Sequence, residues 1–198
     1  MSERSATDSS HVDRVDVASR ALWIVPAILG LDQGSKYLAR HLLDPSRPWP
    51  QDAEYFRLTY IHNPGAAFGL DLGSLHLHTI ISVAALGLLI WLFRSLPAHA
   101  RLSQFALAMV LGGALGNIVD RLIHDAGVVD FFDVGLSEQW RWPIFNIADT
   151  FVTIGIFLLV LGYHREPPSD SEAGADTAPM SFPQAPSSPE APQHTEGR

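Results

Sequence analysis

Four apolar runs of about 20 residues constrain this chain more than any other feature, because a helix of that length crosses a bilayer core. They cover residues 21–43, 75–96, 102–123 and 143–163, and predict four membrane-spanning helices. The last is the plainest: residues 151–163 carry no charge, and His164 and Arg165 follow at once. Each run also contains polar residues whose spacing can be read.

In the first run the polar half holds Asp32, Gln33, Ser35, Lys36 and Arg40. Asp32 and Lys36 are four apart with the acid first, the favourable order for a pair on one helix face. Lys36 reads as half of a structural ion pair, and Asp32 as either structural or site-lining. His76 and His78 open the second run two residues apart, off a common helix face, so they read as interfacial groups and make a poor metal pair. The third run has Gly112, Gly113 and Gly116, a small-residue face for close helix contact. Asn117, Asp120 and Arg121 follow on one polar face, where Asp120 could be satisfied by Arg121. In the fourth, Pro143 suits a first helical turn, and Trp140 and Trp142 fit an interfacial belt. Asp149 then lies about 9 Å along that helix, at ~1.5 Å per residue.

Outside the runs, residues 1–20 are small, polar and of mixed charge, and are expected to be a disordered cytoplasmic segment, unlike a cleavable signal sequence. Residues 165–198 are acidic and proline-rich, and are expected to be a disordered tail, leaving 21–164 as the membrane domain. That tail contributes half of the formal net charge of −8, so the acidity describes the tail and not the core. No basic patch points to nucleic acid. The absence of cysteine excludes disulfides, thiolate metal sites and a cysteine nucleophile. Between the first two runs, residues 55–61 (YFRLTYI) predict a short strand, and Asn63-Pro64-Gly65 a turn. Arginines near the run ends put both termini on the cytoplasmic side and the polar clusters together at the outer face.

The stretch from Val128 to Thr150 concentrates the chemistry. Asp130 and Asp149 sit beside apolar segments where ionised groups are costly, with Asn146 near them. A third acid, Asp133, reads as solvent-facing. Two carboxylates held close tend to share one proton, so that one activates water while the other polarises a carbonyl. Asn117, Asn146 and Arg121 are available to orient them, and such a site needs neither metal nor cofactor. Paired intramembrane acids also line ion and proton pathways, so hydrolase and proton- or cation-coupled transporter both fit these features.

The ordered motifs separate the two. Asp32-Gln33-Gly34-Ser35-Lys36, Asn63-Pro64-Gly65-Ala66-Ala67-Phe68, residues 112–121 (GGALGNIVDR), Val129-Asp130-Phe131 and Phe145-Asn146-Ile147-Ala148-Asp149 occur in series. Over residues 22–163 the chain resembles lipoprotein signal peptidase, the prokaryotic signal peptidase II family. The resemblance implies an all-α integral membrane protein with four transmembrane helices, a small extracytoplasmic β-cradle and a short lid helix, with residues 130–143 in the lid region. It implies an aspartic endopeptidase that cleaves diacylglyceryl-modified prolipoproteins N-terminal to the lipidated cysteine and is sensitive to globomycin. Asp130 and Asp149 would be the catalytic dyad. Asn63, Asn117, Arg121 and Asn146 would line or brace it, and Asp32, Lys36 and Asp120 would support the fold around it. Membrane lipid would surround the site, in the inner or sole cell membrane.

Overall fold

A computed structural model describes residues 22–65, 75–97 and 99–165. The expectations of disorder for 1–20 and for the tail beyond Arg165 lie outside these residues, as do Ala66, Ala67 and Phe68 of the second motif. Within the described residues four helices and two strands follow in the order α1 (Ile24–Leu42), β1 (Phe56–Asn63), α2 (Leu75–Ser95), α3 (Arg101–Ile123), β2 (Val128–Val134) and α4 (Ile147–Arg165).

α3 is the central helix, packed against the other three. Its Leu107, Ala108, Val110 and Leu111 are buried with Phe93 of α2, and Ile24 and Val25 of α1 and Val152 and Leu159 of α4 close around them. The glycine face read from the sequence performs the predicted job. A Cβ on Gly116 would lie 2.5 Å from Oδ2 of Asp32, so glycine is what lets α1 bring a carboxylate against α3. At Gly113 a Cβ would run into the Ala148 carbonyl, so α4 closes on α3 by the same device. Large apolar side chains on α2, among them Ile80, Leu88 and Trp91, remain exposed on the protein surface. By length and apolarity two of the helices, His76–Ser95 and Arg101–Ile123, suffice to cross a membrane. The apolar stretch of α4, Ile147–Gly162, is shorter, and α1 is interrupted by its polar half.

β1 was expected as 55–61 and forms as Phe56–Asn63; β2 was not expected. The two pair antiparallel, Arg57 opposite Asp133 and Ile61 opposite Asp130. Between Leu58 and Ile61 a bulge adds one residue to β1. Side chains alternate along a strand, so without the bulge Arg57 and Asn63 would share a face. Asp130 and Asp133, three apart on β2, face opposite ways. The extra residue switches parity, so Arg57 reaches Asp133 on one face while Asn63 reaches Asp130 on the other.

Residues 143–145 were expected within the last helix, with 141 and 142 just before it. They are extended instead and run antiparallel along β2 through bridges at Gly135–Arg141 and Phe132–Phe145. Phe145 spends both its N–H and its C=O on Phe132, which excludes helical hydrogen bonding there. Asp149 consequently sits in the first turn of α4, not one and a half turns inside a span. Among the described residues there is no fifth helix, and residues 130–143 form strand and turn where the lid region was expected.

Candidate active site

α4 begins with a reciprocal cap. Asn146 precedes the first helical residue, and its Oδ1 accepts the Asp149 N–H at 2.9 Å. In return Oδ2 of Asp149 accepts the Asn146 N–H at 3.2 Å, the two-way arrangement of a capping box. The second N–H of the helix, on Ala148, donates to Oδ1 of Asp32 at 2.9 Å. Carboxylates at this end are favoured by the unpaired N–H groups and by the helix dipole. Asp149 is therefore fixed by the start of its own helix.

Asn146 also joins the two acids named from the sequence. Its Nδ2 donates to Oδ1 of Asp130 at 2.6 Å, while its backbone and Oδ1 hold Asp149. Each acid has a second amide. Asn63 Nδ2 donates to the other Asp130 oxygen at 3.0 Å, and Asn117 Nδ2 to Asp149 Oδ1 at 2.7 Å. Both amides are themselves held. Asn63 Oδ1 accepts the Gly65 N–H at 3.0 Å, and Asn117 Oδ1 accepts from Lys36 Nζ at 2.9 Å. The nitrogen of each is thereby turned toward its carboxylate.

Lys36 is fully buried, between Asp32 at 2.8 Å and Asp120 at 3.0 Å. The i,i+4 pair expected on α1 is present, and Asp120 is satisfied by Lys36, where Arg121 was the expected partner. Asp120 also accepts the Val129 N–H at 3.1 Å, tying β2 to the end of α3. Gln33, named in the sequence but given no role, donates to Asp32, Asp120 and the Gly116 carbonyl at 3.1–3.2 Å. The available signal was its spacing, three residues before Lys36 and therefore a neighbour on the same side of the helix. Arg121 donates to the Asn117 carbonyl at 3.2 Å, and its guanidinium is within electrostatic reach of Asp149, Asp130 and Asp120.

Asp130 is 1% exposed. Burial, and then the neighbouring Asp149, push its carboxyl up to about 7, against hydrogen bonds from Asn63 and Asn146 that pull it down. Asp130 and Asp149 line one cavity of about 480 Å³, together with Trp142, Pro143, Ile144 and Phe145 and with Val152, Thr153 and Ile154 of α4. The arrangement offers two carboxylates able to share a proton, amides that fix their orientation, and an apolar wall for an apolar substrate. Asp133 is a correction to the sequence reading: it is 2% exposed and bound by Arg57 and Arg141, not solvent-facing. Among the described residues no cluster of three or more His, Asp or Glu side chains is placed to hold a metal ion.

Residues 24–165 match the family model described as signal peptidase (SPase) II. A lipoprotein signal peptidase of Moorella thermoacetica is 39% identical over 132 residues, covering 67% of this chain and 84% of that protein. One from Caldanaerobacter subterraneus subsp. tengcongensis is 38% identical, covering 72% and 93%. Two solved structures, each described as a bacterial membrane enzyme studied by the in meso method, superpose with TM-scores of 0.63 and 0.65. They are 26% and 28% identical, over 85% and 75% of this chain and 95% of each of theirs.

Proposed function

The chain belongs to the signal peptidase II family, and on that premise we propose that it is a membrane aspartic endopeptidase with Asp130 and Asp149 as its dyad. Its substrates are diacylglyceryl-modified prolipoproteins, cut on the N-terminal side of the lipidated cysteine. The observation that carries this reading is the Asn146 side chain, bonded to both of the acids that line one cavity.

In the proposed reaction the acids share one proton, held at rest on Asp130. The Asp149 carboxylate takes a proton from water as the oxygen attacks the scissile carbonyl carbon. Asp130 gives its proton to the carbonyl oxygen, yielding a tetrahedral diol. In collapse, the C–N bond breaks, one diol proton returns to Asp130, and Asp149 delivers its proton to the leaving cysteine nitrogen. The new carboxyl end leaves with the signal peptide. Asn63, Asn117 and Asn146 hold the acids in place throughout, and Arg121 offsets their negative charge. Asp32, Lys36 and Asp120 support the start of α4 and the end of α3.

We place all four helices across the cell membrane, both termini cytoplasmic, with the site at the extracytoplasmic face and open laterally to lipid. Globomycin sensitivity belongs to the same proposal. The gathering of polar groups around the start of α4 favours hydrolysis over a transporter, which needs a polar path through the whole bilayer.

Cleavage of a purified diacylglyceryl-modified prolipoprotein in detergent tests the reading. Wild type is expected to cut before the lipidated cysteine, and folded Asp130→Asn and Asp149→Asn variants to lose at least about 10³-fold in kcat. Near-normal cutting by either variant rejects the dyad.

A further inference from the structure

The segment carrying the cavity wall is held at both ends by different chemistry. At its inner end Asn146 is bonded to the two acids. At its outer end Arg141 is bound to Asp133, a residue the proposed reaction does not use. Asp133 accepts from Arg141 Nε at 2.6 Å, Arg57 Nε at 2.5 Å and Thr59 Oγ1 at 2.7 Å. Arg141 adds bonds to the Asp133 carbonyl at 3.1 Å and the Glu54 carbonyl at 2.9 Å, and Arg57 reaches Glu138 at 2.8 Å. One carboxylate thus gathers β1, β2 and the returning strand.

The backbone alone holds this strand lightly. Pro143 has no N–H to give. The remaining bonds to β2 run from the Trp142 N–H to Val134 at 2.8 Å and between Phe145 and Phe131 or Phe132 at 2.8–3.1 Å. Burial alone would raise the Asp133 carboxyl, but the bonds from Arg57, Thr59 and Arg141 outweigh it and hold it below the usual carboxylate range. The group is a charge-assisted clamp, of the kind whose loss leaves other buried charges unpaired.

We infer that Asp133 is a positioning residue for substrate capture: clamped between Arg57 and Arg141, it fastens the outer end of the 141–145 strand and so sets the wall of the cavity. Because the inner end is fixed independently by Asn146, releasing the clamp moves the wall and leaves the acids in register. The consequence is a separation of binding from chemistry, which rests on the peptidase reading above.

The test compares wild type, Asp133→Asn, Asp133→Glu and Arg141→Lys, with kinetics on the prolipoprotein and amide hydrogen exchange in detergent micelles. Asp133→Asn is expected to raise KM about tenfold, to leave kcat within about twofold and to leave the pH profile unmoved. Exchange at Trp142 should accelerate while the Ile61–Asp130 pairing stays protected, and Asp133→Glu should recover part of the KM. Arg141→Lys should behave like Asp133→Asn, because a lysine cannot make the forked contact. A fall in kcat with unchanged KM, or loss of protection throughout the sheet, overturns the inference. So does unchanged exchange at Trp142. If wild type itself fails to cut, the peptidase reading fails, and the exchange result still decides whether Asp133 holds the wall.

Discussion

Asp130 illustrates how one side chain sets the working range of a site. Burial and the nearby Asp149 raise its carboxyl to about 7. Under the proposed mechanism, cleavage falls as pH rises through about 7, because the proton needed for the carbonyl oxygen is lost. The same shift acts on stability. A carboxyl whose folded value is raised gives a contribution that is complete below the ordinary carboxylate range and gone once pH passes the folded value. Folding stability from this group therefore declines between about pH 4 and about 7. Asp130→Asn, which has no proton to lose, is expected to show less change in unfolding temperature between pH 5 and 8 than wild type. Thermal unfolding in detergent at the two pH values checks this. An Asn variant with an undiminished pH dependence would remove Asp130 as its source.

The element that matters most is the first turn of α4, where a structural cap and the proposed chemistry use the same atoms. Asn146→Ser separates them. Serine keeps an oxygen able to cap the helix, so the capping contribution should hold to within a few tenths of a kcal/mol, while loss of the buried amide donor should cost about 1–3 kcal/mol. It lacks the Nδ2 donor to Asp130, so kcat should drop about 10²-fold, the scale for losing one positioned donor. A folded Asn146→Ser variant whose kcat stays within about twofold of wild type would mean that Asn146 acts through the cap alone. This element also marks where the sequence was legible. Asp32 and Lys36 could be paired from their spacing, and the helices from their apolar runs, because both patterns are local. The start of α4 was placed at Pro143, since nothing local records that Phe145 is engaged by Phe132. β2 was missed because Asp130 and Asp133 fall on opposite faces, so VVDFFDV shows no clean alternation. The buried state of Asp133 depends on Arg57, 76 positions away, and on a one-residue bulge that leaves no mark in composition.

At the scale of the whole molecule, Lys36 is where the parts meet. Its ammonium touches Asp32 of α1 and both Asp120 and Asn117 of α3, while Asp32 receives α4 and Asp120 receives β2. Lys36→Met is expected to cost about 3–5 kcal/mol, because it leaves two carboxylates buried without their cation. Unfolding in detergent measures it, and a loss below about 1 kcal/mol would mean that the cluster relaxes or takes up protons at little cost. The family and most of the proposed site residues were legible from the ordered motifs, whereas the joining role of Lys36 was not, because it lies between segments distant in sequence. The cap on α4 carries a further consequence for biosynthesis. Asn146 caps the last described helix and Asp149 lies in its first turn, and both acids take their geometry from its docking. A nascent chain in which only the first three of these helices have formed therefore holds Asp130 without Asp149 and Asn146 beside it. Under the proposed function, proteolytic competence would arrive only with completion of the fold, so an unfinished copy would be harmless to its neighbours.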